Sequence, residues 1–350
     1  MNDKRGFIMI KLKRRLVVNA MSIVIALAVT GCTSSASSEH QQIPDLRAEN
    51  SYVNYNNQTR ARMHIEENTI YLTYEDDDSE KGNHLFSVGR NGQKEMAEGL
   101  PEQFVKSGSC IYFKQSTTNG YKLMKTDALS GENACLMDDV DEFLVYANSV
   151  LSVSGNKLML SEPSGKAVCL KEGRFEFITA NENAAFAVDS GGTVWEIDVK
   201  ANGIIKTGAF TNKEMPFDVA ASNHFIAARF WESDTIAILE LETGECRKYK
   251  APSLVSDLTA GRKDIAYFVS ENQSDTENCG LYQIELSSGK ISQLSDHLRS
   301  GSQLYIYDDE WVYVANSGFD WRFSVEEIER ISTDGKRREP IYSVSKNDIP

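Results

Sequence analysis

Seven hairpins, each closed by a turn containing glycine, recur at intervals of about 40 residues along this chain. The strands that lead into the turns read Leu85-Phe86-Ser87-Val88, Leu123-Met124-Lys125-Thr126, Leu158-Met159-Leu160, Val194-Trp195-Glu196-Ile197, Ile238-Leu239-Glu240-Leu241, Leu281-Tyr282-Gln283-Ile284 and Ile328-Glu329-Arg330-Ile331. The turns follow at Gly92, Gly131, Gly165, Gly203, Gly244, Gly289 and Gly335. Short β-rich strands with turn residues at that period are the signature of a four-stranded propeller blade.

A second repeated strand precedes each hairpin. Examples are Ile70-Tyr71-Leu72-Thr73-Tyr74, Cys110-Ile111-Tyr112-Phe113, Phe225-Ile226-Ala227-Ala228 and Trp311-Val312-Tyr313-Val314, rich in β-branched and aromatic residues. A further short strand lies upstream, as in Gln103-Phe104-Val105 and Leu304-Tyr305-Ile306-Tyr307. With the strand after each turn, every unit has four. The expectation is an all-β fold, a seven-bladed β-propeller of four-stranded antiparallel blades. Ser324 to Ile331 imitates a helix capping box through its Ser-x-x-Glu spacing, but its place in the repeat makes it a strand. Ser51 to Tyr55 either adds an outer strand to the last blade or belongs to the N-terminal tether.

The N-terminus is basic at Lys11, Lys13, Arg14 and Arg15, then apolar from Leu16 to Ala28, then reads Val29-Thr30-Gly31-Cys32. The apolar run is short for a bilayer span and suits a secretory signal. Its last four residues resemble the bacterial lipobox, which implies cleavage before Cys32 and acylation (palmitate) of that cysteine. The expected organisation is a lipoprotein signal peptide over 1–31, a lipidated Cys32 and flexible tether over 32–58, and the propeller over 59–350. Ile111-Tyr112-Phe113 and Thr333-Asp334-Gly335-Lys336 match the repeats of bacterial lipoprotein β-propellers of unassigned function. This resemblance extends over nearly the whole mature chain and implies an extracytoplasmic location on the cell membrane or outer membrane.

The formal net charge is −14, and cleavage after Gly31 would remove six basic residues and one acidic one, leaving −19. Such an excess of carboxylates argues against nucleic acid, which needs a basic face. It also disfavours adhesion to anionic lipid, so contact with the membrane is expected through the anchor only. Beyond Cys32 there are five cysteines, an odd set without Cys-x-x-Cys, which is neither a disulfide framework nor a zinc site. Cys135, Cys169 and Cys246 fall just after three of the glycine turns and are expected as small buried side chains on outer strands.

Chemical motifs are sparse. Ser154-Gly155-Asn156-Lys157, Ser287-Ser288-Gly289-Lys290 and Ser343-Val344-Ser345-Lys346 fit Ser-x-x-Lys, but the companion motifs of penicillin-recognising enzymes are missing and two of the three sit in turns. The five histidines have no paired spacing, and the acidic run Asp76-Asp77-Asp78 lacks the alternating ligands of a calcium loop. No metal and no cofactor is expected.

The connections carry more information. In a ring of such blades, the links between second and third strands share a face with the links between blades, opposite the glycine turns. The polar segments Glu75 to Asn83, Gln115 to Gly120, Arg229 to Asp234, Glu271 to Cys279 and Asn316 to Ser324 are expected as long loops there. Two of them set aromatics beside charge, Arg229-Phe230-Trp231-Glu232 and Phe319-Asp320-Trp321-Arg322-Phe323. Large aromatics in loops anchor protein partners or the apolar face of a sugar. Arg229, Trp231, Asp320, Trp321 and Arg322 are therefore the candidate ligand-binding residues. The function expected is a lipid-anchored binding or scaffold propeller for an envelope protein or glycan. Its rival is a carbohydrate-active or lyase-type enzyme with paired carboxylates at the channel mouth.

Overall fold

The computed structural model describes residues 62–343, apart from 67–68, 76–82, 90–91, 101–102, 119, 128–129, 131, 163–165, 211–214, 273–274 and 318–324. All of these residues belong to the second of two units into which the chain divides, Gln41–Pro350. The described elements are strands alone, in seven sheets of four. Each sheet uses four strands consecutive in sequence, paired antiparallel with their neighbours, so the expected seven-bladed propeller is the observed fold. The blades, numbered 1 to 7 in chain order, cover 63–100, 104–138, 142–172, 175–209, 218–250, 254–298 and 303–343. The first strands of successive blades touch one another and form the inner wall; the fourth strands lie outside. Val325–Ser332 is a strand, as its place in the repeat requires.

The apolar interior divides into seven clusters, each shared by two neighbouring blades. Each sheet buries both faces against its neighbours, so the first strands lose the alternation of a half-exposed sheet: Asp218–Ala221 is buried throughout. Leu144, Leu151 and Leu158 of blade 3 pack on Phe175, Ile178 and Ala185 of blade 4. A buried side chain of this size contributes about 1.5–3 kcal/mol. The last joint is made the same way, with Met63, Ile65, Ile70 and Leu72 of blade 1 against Tyr305, Tyr307, Tyr313 and Ile328 of blade 7.

The recurrence of glycine has two causes. Gly244, Gly289 and Gly335 have φ of 70°, 72° and 72°, in the left-handed region that L side chains avoid. Each is also the seat of the preceding blade's outer strand. A Cβ on Gly244 would stand 3.1 Å from Thr207 O of blade 4, one on Gly289 would overlap the Tyr249 ring of blade 5, and one on Gly335 would stand 3.0 Å from Leu294 O of blade 6. In blade 4 the left-handed residue of the turn is Asn202, at φ 53°, and Gly203 begins the outer strand. Gly131 and Gly165 lie outside the described residues, as do Ser51 to Tyr55 and Asp76 to Asp78.

Two expectations are corrected. Glu271 to Cys279 is not a loop: strands Ile265–Asn272 and Asp275–Glu285 take up all of its described residues. Gln115 to Gly120 is likewise mostly the ends of Cys110–Thr117 and Gly120–Asp127. In the second hairpin Gln115, Ser116 and Thr117 are exposed, which is compatible with polar residues on a strand. Cys135, Cys169 and Cys246 do lie on outer strands, but Cys135 and Cys169 are exposed and Cys246 is half-buried. Shifts of register at Leu123/Met124 and Leu158/Met159, close to the pairs Met124↔Cys135 and Met159↔Cys169, change which face the outer strand presents.

Candidate functional site

Blade 5 places the only fully described candidate loop. Strand Phe225–Arg229 ends on the long-loop face, and the chain passes through Phe230, Trp231, Glu232, Ser233 and Asp234 before strand Thr235–Glu240. Phe230 is buried in the cluster between blades 4 and 5, where Lys248 Nζ lies 5.3 Å from its ring centre. Trp231, the next residue, is 65% exposed. One large apolar side chain secures the loop and its neighbour is presented to solvent.

The presented indole has a layered support. Its ring lies 4.6 Å from that of Phe217, tilted by 58°, and the Arg229 guanidinium lies 4.5 Å from the other aromatic centre, that of Phe217. Arg229 is buried, with a side chain only 7% exposed; its Nε stands 3.5 Å from Oδ2 of the equally buried Asp218, and its Nη1 donates to Val255 O at 3.3 Å. Asp218 Oδ1 accepts the Val219 amide at 2.9 Å. Phe217 N donates to Arg229 O at 2.7 Å, so the two strands carrying the stack are themselves joined. Removing one member of a buried ion pair strands the other charge and costs about 3–5 kcal/mol, which identifies Arg229 as the foundation of the platform. A cation seated on an aromatic face adds about 0.5–2 kcal/mol.

The remainder of the loop is tied to blade 6 and to the end of blade 5's own outer strand. Ser233 O accepts the Val255 amide at 3.0 Å, Asp234 O accepts the Ala251 amide at 2.7 Å, and Lys250 Nζ pairs with Asp234 Oδ2 at 3.1 Å. Ser233 Oγ accepts the Thr235 amide at 3.1 Å. Glu232 takes φ 48° to make the turn, a conformation that glycine and asparagine adopt at least cost. Met215, 47% exposed, lies in the connection from blade 4 that leads into Phe217. The result is a small apolar surface fixed in place before any ligand arrives.

Arg229 and Trp231 thus belong to one stack, with Arg229 inside and Trp231 outside. Asp320, Trp321 and Arg322 lie outside the described residues, as does Cys32. Phe217, Asp218 and Glu232 were missed by the sequence reading. A signal for Asp218 was available: at or near the starts of the innermost strands stand Arg62, Gln103, Glu142, Glu176, Asp218, Asp257 and Gln303, one polar residue per blade and four consecutive carboxylates.

Three of those carboxylates serve the framework. Glu176 Oε1 pairs with Arg174 Nε at 2.6 Å, Asp218 faces Arg229, and Asp257 Oδ2 accepts the Leu304 amide of blade 7 at 2.7 Å. Among the described residues no group of three or more His, Cys, Asp or Glu side chains is placed to hold a metal ion.

The opposite face carries a polar chain across blades 4, 5 and 6. Asn181 Nδ2 donates to Ser222 O at 2.6 Å, Ser222 Oγ donates to Asp264 Oδ1 at 2.7 Å, and His224 Nδ1 lies 2.6 Å from Asp264 Oδ2. The hydrogen bond and charge of Asp264 raise the His224 pKa above its ordinary value.

No protein-family profile matches the chain, and no curated protein sequence matches it either. Solved structures do resemble it in fold. AztD from Citrobacter koseri superposes with a TM-score of 0.55 at 13% identity, over 81% of this chain and 86% of that one. The apo form of AztD from the same organism gives 0.54 at 11%, over 80% and 87%. The computationally designed protein Ika8 gives 0.52 at 12%, over 80% and 82%. At these identities the likeness is one of fold.

Proposed function

We propose that this protein is a binding propeller, which recognises an envelope protein or a glycan on its long-loop face while an acylated Cys32 holds it on the outer side of a bacterial membrane. The observation that carries the binding reading is the exposed Trp231, packed at a tilt on Phe217, whose ring is backed by Arg229 and through it by Asp218. An exposed aromatic held rigidly loses little conformational entropy on binding, which favours affinity. The enzymatic alternative needs a carboxylate pair available for acid and base work. Glu176 and Asp218 are each paired with an arginine and Asp257 accepts an amide of the next blade, so these carboxylates are already engaged and binding is the preferred reading.

Membrane attachment rests on the basic-then-apolar N-terminus that ends in Val29-Thr30-Gly31-Cys32. In cells, Cys32→Ala should abolish incorporation of a fatty-acid analogue and release the protein from the membrane fraction; unchanged labelling would refute the anchor. For the binding face, partners are captured by crosslinking in the intact envelope with wild-type protein and Trp231→Ala. The expected result is at least about a tenfold loss of capture with an unchanged unfolding temperature, because loss of a buried tryptophan anchor costs about 2 kcal/mol or more. Full capture by Trp231→Ala would place recognition elsewhere.

A further inference from the structure

We infer that the partner of the Trp231 platform is a cationic protein segment, whose ammonium or guanidinium group lies over the indole and pairs with Glu232; this rests on the binding reading above. Three features of the site lead there. The chain's formal net charge of −14 steers cations toward it at long range. At the platform Arg229, the cation seated on Phe217, is internal and already faces Asp218, so it offers no charge to a ligand. Asp234 has Lys250. Glu232 has no ion pair among the described residues, and it follows Trp231 directly in the chain.

The backbone sharpens the argument. Glu232 sits at φ 48°, where glycine or asparagine would be less strained. A long carboxylate at that position costs the fold something and returns no hydrogen bond or ion pair among the described residues. Its return is expected at an interface. A π face together with an adjacent carboxylate is the arrangement that recognises organic cations, combining cation–π attraction with a charged hydrogen bond. Met215, exposed on the connection into Phe217, supplies apolar area that suits a neighbouring aliphatic side chain on the same segment.

The test uses the full chain in detergent and four probes: a labelled nonapeptide alternating Lys and Leu, the same peptide with Glu or with Gln in place of Lys, and chitohexaose. Binding is followed by fluorescence anisotropy for the peptides and by calorimetry for the sugar. The Lys peptide should bind best, Trp231→Ala should weaken it at least about tenfold, and Glu232→Gln should weaken it about three- to tenfold with a shallower dependence on salt. Glu232→Gly should raise the unfolding temperature while weakening binding as Glu232→Gln does, which separates the residue's contribution to recognition from any role in folding. Equal or better binding of the Glu peptide, the Gln peptide or chitohexaose, lost in Trp231→Ala, would overturn the cationic partner and leave the platform standing. Lys-peptide binding that ignores Trp231→Ala would overturn the platform itself. No binding of the Lys peptide would overturn the inference.

Discussion

Two joints in the ring do the same work with different chemistry. Between blades 5 and 6, which are consecutive in the chain, a glycine turn seats on the outer strand, alanines fill the narrow inner wedge, and Ser222 and His224 both reach Asp264 on the tight-turn face. Between blades 7 and 1 no described strand is shared: the four described strands of blade 7 are consecutive in sequence. There the join is made by tyrosines: Tyr307 Oη donates to Met63 O at 3.0 Å, and Tyr305 Oη accepts the Arg62 amide at 3.0 Å while donating to Gln303 Oε1 at 2.9 Å. His64 fills the same seam, 5.8 Å from Tyr307 and 6.2 Å from Tyr71. Side chains with both a large apolar surface and a terminal hydroxyl can seal such a seam and satisfy its backbone groups at once.

If the interior joints depend on backbone fit, the largest effect should come from spoiling it. Gly289→Ala meets both penalties, a left-handed φ of 72° and overlap with Tyr249. The first costs about 1–2 kcal/mol and the second about 1–3 kcal/mol, so the loss should reach about 3 kcal/mol in urea denaturation. Gly155→Ala is the control, with φ 55° but no atom within 4 Å of a new Cβ, and it should lose only the first contribution. Equal losses would mean that the turn conformation alone explains the repeated glycine.

The closing seam should instead reveal itself through acid. Burial, with the Lys106 charge nearby, lowers the His64 pKa to about 3. An unfolded chain takes up this proton near pH 6.5, so between 6.5 and about 3 the unfolded state holds the extra proton and stability falls as pH falls. The slope from this one group is at most about 1.4 kcal/mol per pH unit. His64→Phe should flatten the profile in that window by comparison with the wild type. Equal slopes would show that the imidazole is not held neutral in the seam.

The contrast between the joints also explains what was legible in the sequence. Glycine turns are local: a turn residue recurs in every unit, and in blades 5, 6 and 7 it is a glycine at φ near 70° beside a neighbouring outer strand, so the period exposed the number of blades and their strand order. The Trp231 platform depends on pairing across strands. Asp218 lies opposite Arg229 in the register, 11 positions earlier, and Phe217 supports Trp231 from 14 positions earlier. Position alone therefore suggested an exposed Arg229, whereas its partner takes it inside. Cys135 and Cys169 were misplaced because a bulge beside each changes the outward side of the strand, and local alternation carries no sign of it.

The smallest effect separates the two histidines by sign. His224 is 71% exposed and its pKa is raised by Asp264, first through the hydrogen bond and then through charge. A raised pKa means that the folded state holds the proton more tightly. The stabilisation is complete below pH 6.5, the unfolded value, and is lost as pH rises through the higher folded value. Solvent and salt screen such an exposed pair, which keeps it below about 1 kcal/mol. Asp264→Asn is the clean probe, because asparagine tolerates the φ of 55° at this position and removes only the charge. Its stability should fall short of wild type below pH 6.5 and approach it in alkali, opposite in direction to the acid loss assigned to His64. A deficit that stays constant with pH would show that Asp264 acts through its hydrogen bond to Ser222 Oγ and not by pairing with a histidinium.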